Sequence, residues 1–526
     1  MVQLRKFYER AIQEIEALDL EALWESGLDR TLNTYYLIGT YPPLLAMEEP
    51  SQNLINELTT SLRQPIDLYL HFPFCKIVGA YECIFCHFYK ESYSTELENR
   101  FIDACIKEMM LYQRKIGQIS VRSIYFGGGS FSLISPRNLR RLLGFIQDEL
   151  EVNPRAEIKV EIRADAAGSP QELNEQLSIF SSFNVTHLVI DIQSLNRETL
   201  AASCWQRICK EDYFETLAVC KDFGFKHFVT GLILGLPFDS FDSFMESVIQ
   251  LATMPHINTI NIFPLMFREG DLVFKQLRDI PEIFPNVRER DIMHYAARIL
   301  LQAFDFVESP LYFFNRGTVP DHQASKFQGN SLLGIGPSAF GTFNGHKKAQ
   351  YYNVPNLNQY FKRIEGDKLP IWRLGCLSEV GWATRRILFE GPNLNRPFNM
   401  ASLDAAIRDR FTPLVEFFAG LGLLALEGDN FTPTAKGLLR AEELSYYLAE
   451  EEVQAKLHAR SSNLSRYNYY SSRSHQQEEL FSSAFKKFRE ANGAAKLPSP
   501  MDRLALDAGA ASASREELIL SGLERP

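Results

Sequence analysis

From Asp67 onward the chain alternates short apolar strands with amphipathic helices, and nothing else in it restricts the possible folds so strongly. "DLYLHF" reads as a strand. "ELENRFIDACIKEMMLYQRK" follows with apolar residues at helical spacing, and "VRSIYFGG" is a strand that runs into glycines. "SPRNLRRLLGFIQDEL" opens on a Ser-Pro cap and continues as a helix. The rhythm repeats through "EIKVEIRA", "SPQELNEQLSIFSSF", "THLVIDIQS", "KEDYFETLAVCKDFGF", "HFVTGLILGLP", "DSFMESVIQLATM", "NTINIFPL" and "RERDIMHYAARILLQAF". About six such β/α units predict an α/β fold with a parallel sheet, open or rolled into a full or partial barrel. In each form ligands sit beyond the carboxyl ends of the strands.

The segments with recognisable chemistry fall at those ends. A cysteine loop follows the first strand, Gly127–Gly129 the second, Gln193 ends the fourth and Gly235–Pro237 the fifth. The loop lies in "HFPFCKIVGAYECIFCHFYK" and carries Cys75, Cys83 and Cys86. Thiolates are soft ligands for zinc or an iron–sulfur cluster. Zinc would need a fourth ligand, for which His71 and His87 are at hand. A cubane cluster normally takes four cysteines, so three would leave one iron open. The thiols alone leave both readings standing. The other five cysteines (Cys105, Cys204, Cys209, Cys220, Cys376) lie in apolar or helical stretches; Cys204 and Cys209 read as small buried hydrophobes or as a second ligand pair. That usage fits a reducing cytoplasm better than a disulfide scaffold.

Composition excludes other classes. A net charge of -10 offers no basic field for nucleic acid. No apolar run is long enough to predict a membrane span. The N-terminal "MVQLRKFYERAIQEIEALDLEAL" predicts an acidic amphipathic helix rather than a signal peptide. Four regions are expected: a helical extension over 1–65, a (β/α) core over 66–344, a helical, winged-helix-like domain over 345–450 with a hairpin turn at Gly428-Asp429-Asn430, and a poorly ordered low-complexity tail over 451–526.

Taken in order, "LYLHFPFC…CIFCHF", "IYFGGGS", "VEIRA", "IDIQSLN", "LILGLP", "INIFPL" and "LLGIGPSAFG" resemble the radical S-adenosylmethionine superfamily, and more closely its branch named for oxygen-independent coproporphyrinogen III dehydrogenase. The resemblance runs from about residue 66 to 445. It implies a partial (β/α)6 barrel with a C-terminal helical domain. It implies a [4Fe-4S] cluster on Cys75, Cys83 and Cys86, whose open iron chelates S-adenosylmethionine, and reductive cleavage to a 5′-deoxyadenosyl radical. Phe85 would pack on the adenine. Gly127, Gly128, Gly129 and Ser130 would accept the cofactor's ammonium. Glu161 would point into the cavity with a cofactor or catalytic role, Gln193 would bond the ribose or carboxylate, and Arg207 would be a further contact. Tyr69 would face the substrate. Phe327, Gln328 and Phe340 match positions around a second S-adenosylmethionine. A small-molecule substrate and a one-electron donor such as flavodoxin or ferredoxin are the implied partners.

The chain departs from the pattern in four places. Seven residues, "KIVGAYE", separate Cys75 from Cys83 where the family has three. Closing that longer loop costs on the order of a few tenths of a kcal/mol, so the sulfurs are expected still to converge. Phe88 stands where the porphyrinogen enzymes carry another cysteine. Only His322 survives from the heme chaperones' aromatic-flanked motif. Gly231 replaces the usual aspartate before "GLP", removing a polar contact. Phe88 and the Phe327-Gln328 pair lead to an expectation of methyl or methylene transfer (methylation or cyclopropanation). Coproporphyrinogen dehydrogenation, a heme chaperone and a zinc module are the alternatives.

Overall fold

The computed structural model describes residues 2–18, 20, 39–75, 83, 85, 86, 89–203, 208–266, 281–317 and 321–460. The six predicted core strands are β1 (Ile66–Phe72), β2 (Ser120–Gly128), β3 (Glu151–Ile162), β4 (His187–Ile190), β5 (His227–Leu234) and β6 (Ile257–Pro264). They lie side by side in chain order, all parallel. Every residue of β1 is buried, as expected of a strand covered on both faces.

The intervening helices form where sequence caps allow. Ser94 accepts from Leu97 N ahead of α1 (Thr95–Ile116), and Ser135 with Pro136 opens α2 (Pro136–Glu149). α3 (Pro170–Ser182), α4 (Lys210–Asp222) and α5 (Phe241–Ala252) follow. A capping box between Asn286 and Glu289 starts α6 (Val287–Ala303).

The chain then adds strands at both edges. β7 (Phe306–Glu308) and β8 (Phe313–Arg316) extend the β6 edge antiparallel. After α7 (Asp321–Phe327), β9 (Leu332–Ile335) pairs parallel with β1. β10 (Phe340–Asn344), β11 (Lys348–Asn353) and β12 (Ile371–Leu377) continue antiparallel. The result is one twelve-stranded sheet in linear order, a partial barrel rather than a closed one.

Two expectations need redrawing. The junction at 344/345 falls in the hairpin between β10 and β11, where Asn344 pairs with Lys348, so the sheet runs through it. "KAQYYN", which carries no strand signal in the sequence, forms β11. Beyond the sheet come the expected helices, Glu379–Leu388 and Ala405–Gly420, and a hairpin of Leu424–Glu427 with Asn430–Pro433. The start of the expected tail, Glu451–Arg460, is helical; residues 461–526 lie outside the described residues.

Candidate functional site

Alternation along the strands aims one set of side chains inward. Register sets Tyr69 opposite Tyr125 and His71 opposite Gly127. Glu161 reaches this row from β3. Tyr125 Oη donates to Glu161 Oε1, and Gly128 N donates to Oε2 at 3.0 Å. A Cβ on Gly127 would stand 2.9 Å from Glu161 Oε1, and one on Gly128 would stand 2.7 Å from His71 Cε1. The glycines therefore admit the Glu161 and His71 side chains to the strand ends. Burial, then the charge of Asp191, pushes Glu161 up to about 8. Burial raises Asp191 to about 6.

An aromatic wall continues from this carboxylate. The Tyr69 ring lies 5.7 Å from Tyr125 and 5.2 Å from Phe340, and Phe340 lies 5.9 Å from Tyr352. Tyr69 Oη and His71 Nδ1 share a hydrogen bond of 2.7 Å. Burial lowers His71 to about 4, so its ring is neutral at physiological pH. Lys326 Nζ stands 4.6 Å above the Phe340 ring. Burial, then the charge of Arg385, lowers its ammonium to about 7.

The thiols lie at the mouth where β1 ends. Cys75 closes a short strand, Phe74–Cys75, paired with Glu91–Ser92. Cys86 N donates to Cys83 O at 3.2 Å, and Lys90 Nζ to Cys86 O at 2.9 Å. Burial, then Cys86, pushes the Cys75 thiol up to about 11. Among the described residues no three His, Cys, Asp or Glu side chains gather as a metal site, so the expected convergence of the three sulfurs is not seen. The inserted residues 76–82, with His87 and Phe88, lie outside the described residues.

The remaining expected residues divide. Gln193 sits at the end of β4 in a left-handed conformation, φ 68°, bridging to Leu232. Gly129 N and Ser130 N donate to Phe72 O and Phe74 O, at 2.5 and 2.8 Å, tying the Gly turn to the cysteine strand. Phe85 is half-buried beside Cys86. Phe340 is in the wall. Phe327 is not: it is buried in the core, 5.4 Å from Phe389. Gln328 is exposed. Lys326 lies between the two rings, with Nζ 5.2 Å from Phe327 and 4.6 Å from Phe340. Arg207 and Cys204 lie outside the described residues. His322 is buried on α7, with Nδ1 2.8 Å from Ser123 Oγ, which donates to Asp67. Sequence reading missed Tyr125, Asp191 and Lys326, and considered His71 only as a zinc ligand. Tyr125 was legible as a same-face neighbour, two residues from Gly127.

Comparison with known proteins now bears on this geometry. Residues 69–251 match the sequence model of the Radical SAM superfamily. They are a radical SAM domain. The chain is 25% identical over 387 residues to a heme chaperone, HemW, of Mycobacterium tuberculosis, covering 72% of this chain and 93% of that one. It is 23% identical over 430 residues to the oxygen-independent coproporphyrinogen III oxidase of Escherichia coli, covering 76% and 89%. The solved structure of an Escherichia coli coproporphyrinogen III oxidase, described as a radical SAM enzyme, superposes with a TM-score of 0.67 at 20% identity, over 77% of this chain and 95% of that one. The fold is therefore shared along nearly the whole of that enzyme.

Radical SAM enzymes use a [4Fe-4S] cluster and S-adenosylmethionine, a small-molecule substrate and a reductant. The radical SAM domain here has the donor set for them. Three thiols border the strand ends, and acceptor oxygens without donors, Asp191 Oδ1 and Gln193 Oε1, lie buried beyond β4. No helix among the described residues is long and apolar enough to cross a membrane.

Proposed function

We infer that the protein is a radical SAM enzyme that abstracts hydrogen from a carboxylate-bearing tetrapyrrole, the class on which its coproporphyrinogen III oxidase relative acts. One observation carries the reading. The carboxylate site at Glu161 is continuous, through Tyr125, with the wall of Tyr69, Phe340 and Tyr352, and a lysine stands over that wall. An apolar ring system would lie on the aromatics while Lys326 pairs with a carboxylate.

Cys75, Cys83 and Cys86 would hold the cluster, and Glu161 with the Gly127–Gly129 turn would orient the amino-acid end of S-adenosylmethionine. Bound and reduced, these cofactors supply a 5′-deoxyadenosyl radical. Tyr125 and Gly128 fix Glu161 in place, and Tyr69 with His71 closes the cavity floor against water. The alkyl-transfer expectation has less behind it: the relatives matched are a heme chaperone and a coproporphyrinogen III oxidase, and of its two grounds Phe88 lies outside the described residues while Phe327 is buried and Gln328 exposed.

The test is anaerobic turnover of reconstituted, reduced protein with coproporphyrinogen III. We expect 5′-deoxyadenosine to form faster with the tetrapyrrole than without, and a vinyl product by mass spectrometry. An unchanged rate would overturn the substrate class. Heme handling is the second reading, favoured by the alignment over 93% of a heme chaperone. His322 offers it little, being buried against Ser123 and Tyr125. Stoichiometric hemin binding without 5′-deoxyadenosine release would favour it.

A further inference from the structure

The barrel has a second opening, at the amino ends of β3 to β6 and so away from the thiols and Glu161. A cavity of about 740 Å³ lies there, within the roughly 300–1,000 Å³ of small-molecule sites. Register assembles its wall. His187 of β4 lies opposite His227 of β5. Thr259 of β6 lies opposite Asn315 of β8, which brings Arg316 to the rim.

Three cations line the cavity: Arg155, Lys226 and Arg316. Arg316 is held in place. It donates to Phe304 O and Met254 O, both at 3.2 Å, and to Ala252 O at 2.6 Å, and its guanidinium lies 4.3 Å over the Phe306 ring. Glu157 is the one carboxylate among the described lining residues, and Lys159 Nζ stands 3.0 Å from its Oε1. Positive charge at the rim is therefore left in excess. Ring faces supply a second surface. His187 and His227 stack at 4.7 Å, and Phe223 and Phe225 at 6.3 Å, each pair 24° from parallel. Phe223 is 38% exposed. Polar edges complete the lining. Thr186 Oγ1 accepts from Ile158 N and donates its one proton to Ile158 O. His187 Nδ1, 2.8 Å from that oxygen, is then the donor to it, which leaves Nε2 with the lone pair. Burial, then the charges of Lys159 and His227, lowers His187 to about 3, so the ring stays neutral. Asn258 Oδ1 accepts from Phe228 N at 3.0 Å, which leaves its Nδ2 as the donor.

Clustered positive charge calls for an anion. Exposed stacked rings call for a planar partner. An acceptor and a donor on one lining suit the edge of a heterocycle. A phosphorylated heterocycle meets all three demands at once. We propose that this cavity is a nucleotide site, separate from the radical site. The phosphates would lie on Arg155, Lys226 and Arg316, and the base against Phe223, Phe225 and the imidazoles. The site does not depend on which substrate the carboxyl ends of the strands receive.

The experiment is titration calorimetry of reconstituted protein with ATP, sodium triphosphate and adenosine. S-adenosylhomocysteine is kept saturating, so that the adenosyl site at the other end stays filled. ATP should bind once per chain, roughly tenfold or more tighter than triphosphate or adenosine. Arg155 and Lys226 are exposed, so Arg155→Ser/Lys226→Ser should fold normally. It should bind ATP roughly tenfold or more weakly and S-adenosylhomocysteine as wild type does. Phe223→Ser should erase the advantage of ATP over triphosphate. Absence of ATP binding in wild type would overturn the site. So would undiminished ATP binding in the double variant. Equal wild-type affinity for ATP and triphosphate would overturn the nucleotide assignment, leaving a site for the anion alone.

Discussion

At the scale of single residues, the site depends on a few polar atoms held in apolar surroundings. Tyr125 gives Glu161 one of its two observed donors. Tyr125→Phe should cost about 1–3 kcal/mol, the usual penalty for leaving a buried acceptor without its partner. Urea denaturation at neutral pH will measure it; an unchanged midpoint and slope would mean that the bond contributes nothing. Lys326 tests the substrate side. Lys326→Met keeps the stem over Phe340 and deletes the charge. KM for a carboxylated tetrapyrrole should rise about tenfold while kcat changes little, the pattern of lost uniform binding. Steady-state kinetics separate the two, and a fall in kcat alone would remove Lys326 from substrate binding. The sequence disclosed these residues unevenly. Tyr69, Glu161 and Gln193 stood out as motif positions. Asp191 did not, because the space it fills is the one Gly231 leaves open, forty residues away and adjacent only through strand register. Phe327 illustrates the converse: a matching letter on a short helix whose rotation the sequence leaves open.

Secondary-structure elements carry the next layer, and α1 shows how a helix can position a turn. Glu108 of α1 accepts from Gly336 N at 2.9 Å, Tyr360 Oη at 2.7 Å and Asn353 Nδ2 at 3.0 Å. It thereby fixes the turn after β9 against His71 O, which a Cβ on Gly336 would approach to 2.6 Å. Burial pushes Glu108 from an ordinary 4.5 up to about 8. A raised carboxyl binds its proton more tightly folded than unfolded. Its contribution is whole below about pH 4.5 and is lost as pH climbs towards 8. Glu108→Gln, which cannot ionise, should lose less stability between pH 5 and pH 8.5 than wild type does, by on the order of a few kcal/mol. Denaturant titrations at both pH values will show it, and parallel pH dependences would refute it. The βα repeat itself was plain in the sequence, since strands covered on both faces read as apolar runs. β11 was opaque because "KAQYYN" is short and polar, and acquires its pairing only from β10 and β12.

Across the whole molecule, buried charge ties the C-terminal helices to the barrel. Arg440 donates to both oxygens of Asp291 on α6, at 3.0 and 2.7 Å, with both side chains almost wholly buried. Removing one member strands the other. Arg440→Leu should destabilise the protein by about 3–5 kcal/mol, and Arg440→Leu/Asp291→Leu should recover most of that. Calorimetry should show the penalty in a single cooperative transition, and an independent melt of the C-terminal helices would contradict the coupling. The sheet makes the same connection through its backbone, since β11 and β12 lie beyond the expected junction and still continue the core sheet through β10. Recombination is constrained accordingly. A crossover between relatives placed at Gly345 would divide a hairpin and leave β10 as a bare edge, open to pairing with other chains. One placed beyond Leu377 would pass all twelve strands on from a single parent. The inheritable cassette in this lineage therefore ends with the sheet, not with the last β/α unit.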